Sequence, residues 1–166
     1  ERGTAWHSTV QVAEQNSSEV WSGFRVGRRA RVLKRQLMDW SVSAVHDGYR
    51  YLQGAPQVQR TWGFRADALV VDDAVSTDRW PAVARFHLAP GLFLVPGPDN
   101  NQWQVCDGAR VLACVTVEAG LGGMEASEYA PRFGVRLPTQ TLTVVLQGCQ
   151  ARTRWQWNTD AHPVSH

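Results

Sequence analysis

Short segments of alternating polar and apolar residues, separated by turn residues, run along almost the whole chain. STVQVAEQ alternates, and so do both arms of QWQVCDGARVLACVTVEAG, where Asp107-Gly108 supplies the positive-φ residues of a tight turn. Helical periodicity is nearly absent, apart from residues 124–129, which allow one helical turn before Pro131. The pattern predicts an all-β chain, an antiparallel β-sandwich of roughly ten or more short strands.

The length and composition fit one globular domain. The chain has 166 residues, of which 43% are apolar and 19% charged, and these proportions are typical of a folded domain. We predict a single β-sandwich over residues 1–158 and a loose tail over residues 159–166. No apolar run approaches the roughly 18 residues that a membrane span needs. The first residues, ERGTAWHST, show neither an initiator Met nor a signal-peptide pattern, as expected of a mature product or a piece of a longer chain.

Positive charge is concentrated in FRVGRRARVLKR, within a segment predicted to contain two strands that meet around residues 34–36. Six cations fall within eleven positions there: Arg25, Arg28, Arg29, Arg31, Lys34 and Arg35. One interpretation is a solvated strand edge. The other is a face for an anionic partner, because arginine matches the geometry of carboxylates and sulfates. The modest net charge of +2 and the lack of a recognisable motif argue against nucleic acid.

Three cysteines, Cys106, Cys114 and Cys149, do not form a disulfide framework, because the number is odd and the domain is large enough to fold without crosslinks. No CxxC zinc spacing occurs. The sequence predicts buried free thiols, with a Cys106–Cys114 bridge across a hairpin as the alternative.

Several blocks, taken in order, resemble the C-terminal β-sandwich region of the heparinase II/III-like polysaccharide lyases. The similar blocks are the His-Ser-Thr start at residues 7–9, WSGFRVGRRA at residues 21–30, HDGY at residues 46–49, VDDAV at residues 71–75, FHLAPG at residues 86–91 and YAPRFG at residues 129–134. The resemblance covers about residues 5–137. It departs from the family at Gln59-Arg60, where many relatives carry a His before the Arg, and the helical toroid domain that precedes this region in the family is missing.

The resemblance implies part of an enzyme that cleaves acidic, uronate-containing polysaccharide by β-elimination. The main catalytic Tyr and His or Asn of the family belong to the missing α-helical toroid, so no catalytic residue is assigned here. The isolated chain is therefore expected to lack lyase activity. Sulfated glycosaminoglycan, alginate and bacterial capsule polysaccharide remain open as substrates, and such substrates imply a periplasmic or secreted location.

The resemblance also implies a metal, usually zinc, held inside the β region. The matching positions are His7, His46 or its neighbour Asp47, and His87. Imidazoles on different strands suit a tetrahedral site with one open position. A lone histidine on a strand is more often a hydrogen-bonded structural residue. Because adjacent strand residues face opposite sides, only one of His46 and Asp47 can face the site, and His46 is preferred.

Substrate contacts are predicted for Arg25, Arg28, Arg29 and Tyr49. Docking of the three arginines against the missing domain is an equally physical explanation, and Tyr49 also fits a ring at the sandwich edge. Two other functions stay open at this point. One is a non-catalytic carbohydrate-binding sandwich with Trp or Tyr exposed on one sheet face, and the other is a structural sandwich that docks a partner domain.

Overall fold

The computed structural model describes residues 3–21 and 25–157, and within them the chain folds into two antiparallel β-sheets. The predicted all-β antiparallel sandwich is confirmed. The strands are β1 Val10–Val12, β2 Val32–Met38, β3 Ser41–His46, β4 Val58–Phe64, β5 Ala68–Val75, β6 Ala82–His87, β7 Leu92–Pro96, β8 Gln102–Asp107, β9 Arg110–Ala119, β10 Leu121–Arg132, β11 Val135–Val145 and β12 Gln150–Trp157. The tail predicted for residues 159–166 lies outside the described residues.

The two sheets differ in width. The small sheet has four strands in the order β1-β6-β11-β10, and the large sheet has eight in the order β2-β3-β4-β5-β12-β9-β8-β7. A 3-10 turn, Thr4–Trp6, precedes β1. Among the described residues, no helix is long and apolar enough to cross a membrane.

The core lies between the sheets and is built from alternate residues of each strand, because successive strand side chains face opposite sides. The small sheet contributes Val10, Val12, Ala84, Phe86, Leu142 and Val144, all at most 8% exposed. The large sheet contributes Val58, Val71, Val75, Leu94, Trp103, Val115 and Val117. The central strands of the large sheet therefore supply most of its share of the core.

Strands β2 and β3 extend beyond this core. All seven residues of β2 are exposed, and all six of β3 are only half-buried. Strands in a sheet lie about 4.8 Å apart, so four strands cannot cover the width of eight. The β2–β3 hairpin is the part of the large sheet left uncovered, and we call it the overhang.

Local predictions were wrong at three places. Residues 124–129 form no helical turn, because β10 continues to Arg132 as an edge strand with an irregularity after Tyr129, where Pro131 is tolerated. The β2–β3 turn lies at Asp39-Trp40 rather than at residues 34–36. In the β8–β9 hairpin, Gly108 has a positive φ of 56°, but Asp107 is the last residue of β8.

The three cysteines are free, as predicted, although only Cys106 is buried. Cys106 lies opposite Val111, and Cys114 lies opposite Gln104. Because the two thiols occupy different register positions of the hairpin, the alternative Cys106–Cys114 bridge is not formed.

Candidate functional site

The segment that follows the 3-10 turn lies against β6 of the small sheet and forms a cleft with it. Thr9 O accepts a hydrogen bond from Arg85 N, so the segment is tied to β6. The cleft has a volume of about 440 Å³ and contains two of the three predicted histidines, and we call it the histidine cleft. It is lined by Trp6, His7, Ser8, His87, Leu88, Ala89, Glu128, Tyr129 and Ala130.

His87 ends β6 and faces away from the core, because its neighbour Phe86 faces inward. Its Nδ1 lies 2.6 Å from Thr141 Oγ1, and its Nε2 lies 3.0 Å from Ala5 O. Thr141 Oγ1 also hydrogen-bonds Ser127 Oγ at 2.8 Å. Burial is the main cause that lowers the pKa of His87, so the ring is neutral at pH 7. A proton on Nε2 satisfies the contact with Ala5 O, since a carbonyl oxygen only accepts.

His7 lines the histidine cleft and also a second, smaller cleft. The second cleft, of about 290 Å³, is lined by Thr4, His7, Thr9, Ser17 and Ser18. Ser18 Oγ accepts a hydrogen bond from Ala30 N at 3.0 Å, which places the basic segment of residues 25–31 beside this second cleft. Within the described residues the His7 ring makes no hydrogen bond, so its nitrogens are available to a ligand.

A buried ion pair holds the segment that carries His7, and sequence reasoning missed it. Arg60 on β4 binds both carboxylate oxygens of Asp73 on β5, at 2.6 and 2.9 Å, and its Nη1 donates to Ser8 O at 2.7 Å. Ser8 Oγ in turn accepts from the backbone N–H of His87 at 3.0 Å. The guanidinium also lies 4.7 Å from the centre of the Phe86 ring. This pair therefore connects the large sheet to the wall of the histidine cleft.

His46 does not join the other two histidines. It lies opposite the core residue Val58 in the β3–β4 register and therefore faces the inner side of the large sheet. His87 faces the outer side of the small sheet, so the two rings belong to different layers. The Nδ1 of His46 accepts a hydrogen bond from Gly48 N at 3.1 Å, and burial lowers the pKa of the ring.

Asp47, the alternative second ligand, is bound within its own loop. Its Oδ1 accepts from Arg31 N at 2.7 Å, and its Oδ2 pairs with Arg50 at 3.0 Å. The hydrogen bond from Arg31 is the main cause that lowers the pKa of Asp47. The carboxylate thus fixes the start of the overhang to the loop after β3.

The arrangement of these groups does not fit a bound metal. No group of three or more His, Cys, Asp or Glu within residues 3–21 and 25–157 is placed to hold an ion. In addition, both ring nitrogens of His87 face protein partners. Zinc binding therefore stays a prediction.

Two of the three predicted arginines are accessible. Arg25 and Arg29 are exposed. The guanidinium carbon of Arg28 lies 3.5 Å from the centre of the Tyr51 ring, so this side chain is stacked on the protein. Among the described residues the buried Nε of Arg28 has no hydrogen-bond partner.

The predicted substrate contact at Tyr49 is not supported, because this ring belongs to the core. Tyr49 is 0% exposed, and its hydroxyl donates to Val10 O at 3.0 Å. Burial raises the pKa of the hydroxyl to about 12. The side chain connects the loop after β3 to β1 and does not reach the surface.

Comparisons with known proteins agree with this architecture. Residues 1–158 match the family described as heparinase II/III-like, C-terminal. Two crystal structures of heparan sulfate lyase HepC from Pedobacter heparinus, one of them a mutant, are similar to 93% of the chain, with TM-scores of 0.63 and 0.61 and identities of 15% and 13%. The chain spans 24% of the length of those two proteins. A search of curated proteins found no match.

Proposed function

Since the chain belongs to the heparinase II/III-like C-terminal family, we propose that it is the C-terminal β-sandwich domain of a lyase for acidic, uronate-containing polysaccharide. The lyase would break the polymer by β-elimination, in which a base removes the proton next to the uronate carboxylate and the bond to the leaving oxygen breaks. The role of this domain would be to complete the substrate cleft.

The observation that carries the proposal is the position of His7 between two clefts. One cleft is shared with His87, and the other lies beside the basic segment of residues 25–31. An extended polymer that lies along the two clefts would meet His7 and then a row of cations. Arg25 and Arg29 would bind carboxylate or sulfate groups, because a guanidinium forms paired hydrogen bonds with both.

The chemistry assigns different roles to the two histidines. The α-proton of a uronate is weakly acidic, so elimination requires the carboxylate to be neutralised and a proton to be transferred. The His7 ring is the one available to hydrogen-bond a sugar. His87 is held between Ala5 O and Thr141 Oγ1 and would fix the shape of the cleft. Catalytic groups for the proton transfer would come from the rest of the enzyme.

The remainder of a longer polypeptide is the proposed partner of the overhang. The similar lyases continue for about three quarters of their length beyond the matched region, where the family resemblance implies an α-helical toroid. Val32 and Leu37 on β2 are 65% and 74% exposed and lie on the core side of the large sheet. A packed domain would bury them. A periplasmic or secreted location would accompany a polymeric substrate.

The test compares this chain with the full-length protein on heparin-like and alginate-like polymers. Formation of unsaturated uronate is followed by its ultraviolet absorbance. We expect no turnover by the isolated chain and turnover by the full-length protein. His7→Ala should raise the KM of the full-length protein, while Phe133→Ala, a change of a 99% exposed residue, serves as the control. Robust turnover by the isolated chain would refute the proposal that the catalytic groups lie in the rest of the enzyme.

Metal content is measured in the same preparations. Purified chain, His7→Ala and His87→Ala are analysed for zinc and for melting temperature with and without chelator. Loss of bound zinc together with a lower melting temperature in both variants would support a zinc site that includes His7 and His87. Zinc-free protein with an unchanged melting temperature would argue against it.

A further inference from the structure

A second groove lies on the outer face of the large sheet, and the function proposed above does not use it. It has a volume of about 390 Å³ and begins at the β2–β3 turn. Trp40 forms one wall and is 70% exposed. Its backbone oxygen accepts a hydrogen bond from Phe64 N at 2.8 Å, so the turn that carries the indole is anchored to the end of β4. We call this the Trp40 groove.

The register explains why polar side chains form the floor of the groove. Ser41 lies opposite Gly63, and Thr61 lies opposite Asp72, so all four positions share one face. The intervening residues Arg60 and Trp62 face the core side. The floor therefore presents hydroxyl and carboxylate groups beside an exposed aromatic ring.

Gly63 creates the depth of the groove. A Cβ atom built there would meet its nearest neighbours, Val70 O and Val70 Cβ, at 3.8 and 4.0 Å, which are ordinary contact distances. Because packing does not require glycine at this position, a larger residue would fit the fold and would fill space that now opens to solvent. Glycine within a strand is otherwise unfavourable.

The charges around the groove determine which ligand it suits. Asp39 and Asp72 line it together with Arg65. Arg152, the cation next to Asp72, is shared with Glu118, at 3.4 and 3.1 Å respectively. The lining therefore carries an excess of carboxylates, which repels a polyanion. Carboxylates, hydroxyls and a guanidinium are all good partners for sugar hydroxyls.

We propose that the Trp40 groove is a binding site for a neutral, hydroxyl-rich glycan, separate from the histidine cleft. The apolar face of a pyranose ring stacks on the indole of Trp40. Its hydroxyls bond to Ser41, Thr61 and Asp72. Anchoring of the turn by Phe64 pre-organises the platform, which reduces the entropic cost of binding. None of the residues that line this groove lines the histidine cleft, so the site holds neutral glycan while the histidine cleft faces acidic polymer.

The experiment titrates the 166-residue chain with three neutral hexasaccharides, cellohexaose, mannohexaose and xylohexaose, and with an oligogalacturonate as the acidic counterpart. Binding is followed by isothermal titration and by indole fluorescence. We expect at least one neutral hexasaccharide to bind, and the oligogalacturonate not to compete for the site. Trp40→Ala should weaken binding by about tenfold or more, because it removes the stacking surface.

Matched variants separate the site from general damage to the fold. Gly63→Ala should weaken binding partly and Gly63→Val more strongly, while neither lowers the melting temperature. Trp21→Ala, which removes another exposed indole, 53% exposed, should leave binding unchanged. The proposal is overturned if no neutral hexasaccharide binds, or if binding survives both Trp40→Ala and Gly63→Val. It is also overturned if Trp40→Ala instead weakens association with the rest of the full-length polypeptide, which would identify the groove as a docking surface.

Discussion

The middle and one edge of the large sheet are built from the same antiparallel ladder but differ in burial. On β5 the inward residues Val71 and Val75 are 2% and 4% exposed, because the small sheet packs on them. On β2 the core-side residue Leu37 is 74% exposed. Both strands hydrogen-bond to a neighbour in an antiparallel ladder. The difference lies only in whether a second layer is present.

This difference shows that the position of a residue along a strand tells which face of the sheet it occupies, but does not tell whether another layer covers that face. The covered part of the large sheet keeps its polar groups paired, as in the Arg60–Asp73 contact. The overhang carries exposed charge in the middle of β2, at Lys34 and Arg35. Charged residues on an edge strand hinder pairing with a second copy. The covered part is therefore where substitutions should affect stability, and the overhang is where they should affect binding.

The largest effect is expected from breaking the buried ion pair in the covered part. Arg60→Ala leaves the carboxylate of Asp73, whose side chain is 1% exposed, without its partner, and should lower the free energy of unfolding by about 3–5 kcal/mol. Urea unfolding followed by circular dichroism measures the change. The control is Arg152→Ala, which breaks the exposed pairs with Asp72 and Glu118 and should cost less than about 1 kcal/mol. Equal losses in the two variants would contradict the distinction between covered and exposed pairs.

Two strand glycines provide the next comparison. A Cβ at Gly122 would lie 2.3 Å from the Trp103 ring, between the two sheets, whereas a Cβ at Gly63 would make only ordinary contacts with Val70, at 3.8 and 4.0 Å. Gly122→Ala should destabilise by about 1–3 kcal/mol, because it overpacks the core. Gly63→Ala should be neutral or should stabilise by up to about 1 kcal/mol. Melting temperatures of the two variants measure these changes, and a lower melting temperature for Gly63→Ala would show that the outer face is not open.

A smaller effect is expected from pH, and it involves one histidine from each sheet. Burial lowers the pKa of both His46 and His87 from the ordinary value of 6.5. The unfolded chain therefore binds more protons than the folded chain below about pH 6.5. The free energy of unfolding is thus highest above that pH and decreases as the pH falls. Unfolding curves between pH 8 and pH 5, at about one-unit steps, measure how steeply the free energy of unfolding depends on pH.

Substitution identifies which ring is responsible for the slope. His87→Gln keeps a polar group beside Thr141 but cannot titrate, so the dependence on pH should become weaker. His7→Gln is the control on the same cleft. If His87→Gln leaves the slope unchanged and His46→Gln removes it, the pH dependence comes from the inner face of the large sheet alone.

Most of the fold could be predicted from the sequence, because a period of two specifies strands directly. The β8–β9 hairpin was found from its glycine, although the turn begins one residue later than predicted. The β2–β3 turn was missed, because Asp39-Trp40 lacks glycine and proline. Residues 124–129 were assigned a helical turn, because Pro131 was taken as a terminator rather than as a residue that an edge strand tolerates.

The candidate site was less predictable, because the pattern does not give the layer of each strand. The family resemblance placed His7 and His87 in one region, and the structure brings both to the same cleft. It also grouped His46 with them, although this ring lies on the large sheet and not beside the histidine cleft. Tyr49 was predicted to contact substrate because it belongs to the HDGY block at the end of a strand. No neighbouring residue in the sequence indicates that its ring is buried. The Arg60–Asp73 pair had a usable signal: Arg60 lies two residues after the buried Val58, and Asp73 lies between the buried Val71 and Val75 on the same face of β5.

The smallest effect on stability is expected from the overhang. Leu37→Ser and Val32→Ser replace side chains that are already mostly in water, so the free energy of unfolding of this chain should change by less than about 0.5 kcal/mol. The matched change in the covered part, Leu142→Ser, introduces a hydroxyl at a position that is 0% exposed and should destabilise strongly.

The two overhang variants separate the stability of the domain from its docking. In the full-length protein they should weaken the proposed contact with the toroid domain, and limited proteolysis should then cut between the two domains more rapidly. The isolated variants should keep the melting temperature of the unmodified chain. If their melting temperature falls as far as that of Leu142→Ser, then β2 contributes to the core of this domain and offers no free surface to a partner. Unchanged proteolysis of the full-length variants would show that the proposed domain packs elsewhere. Leu37 and Val32 would then simply be exposed residues of an edge strand, which Lys34 and Arg35 keep from pairing with a second copy.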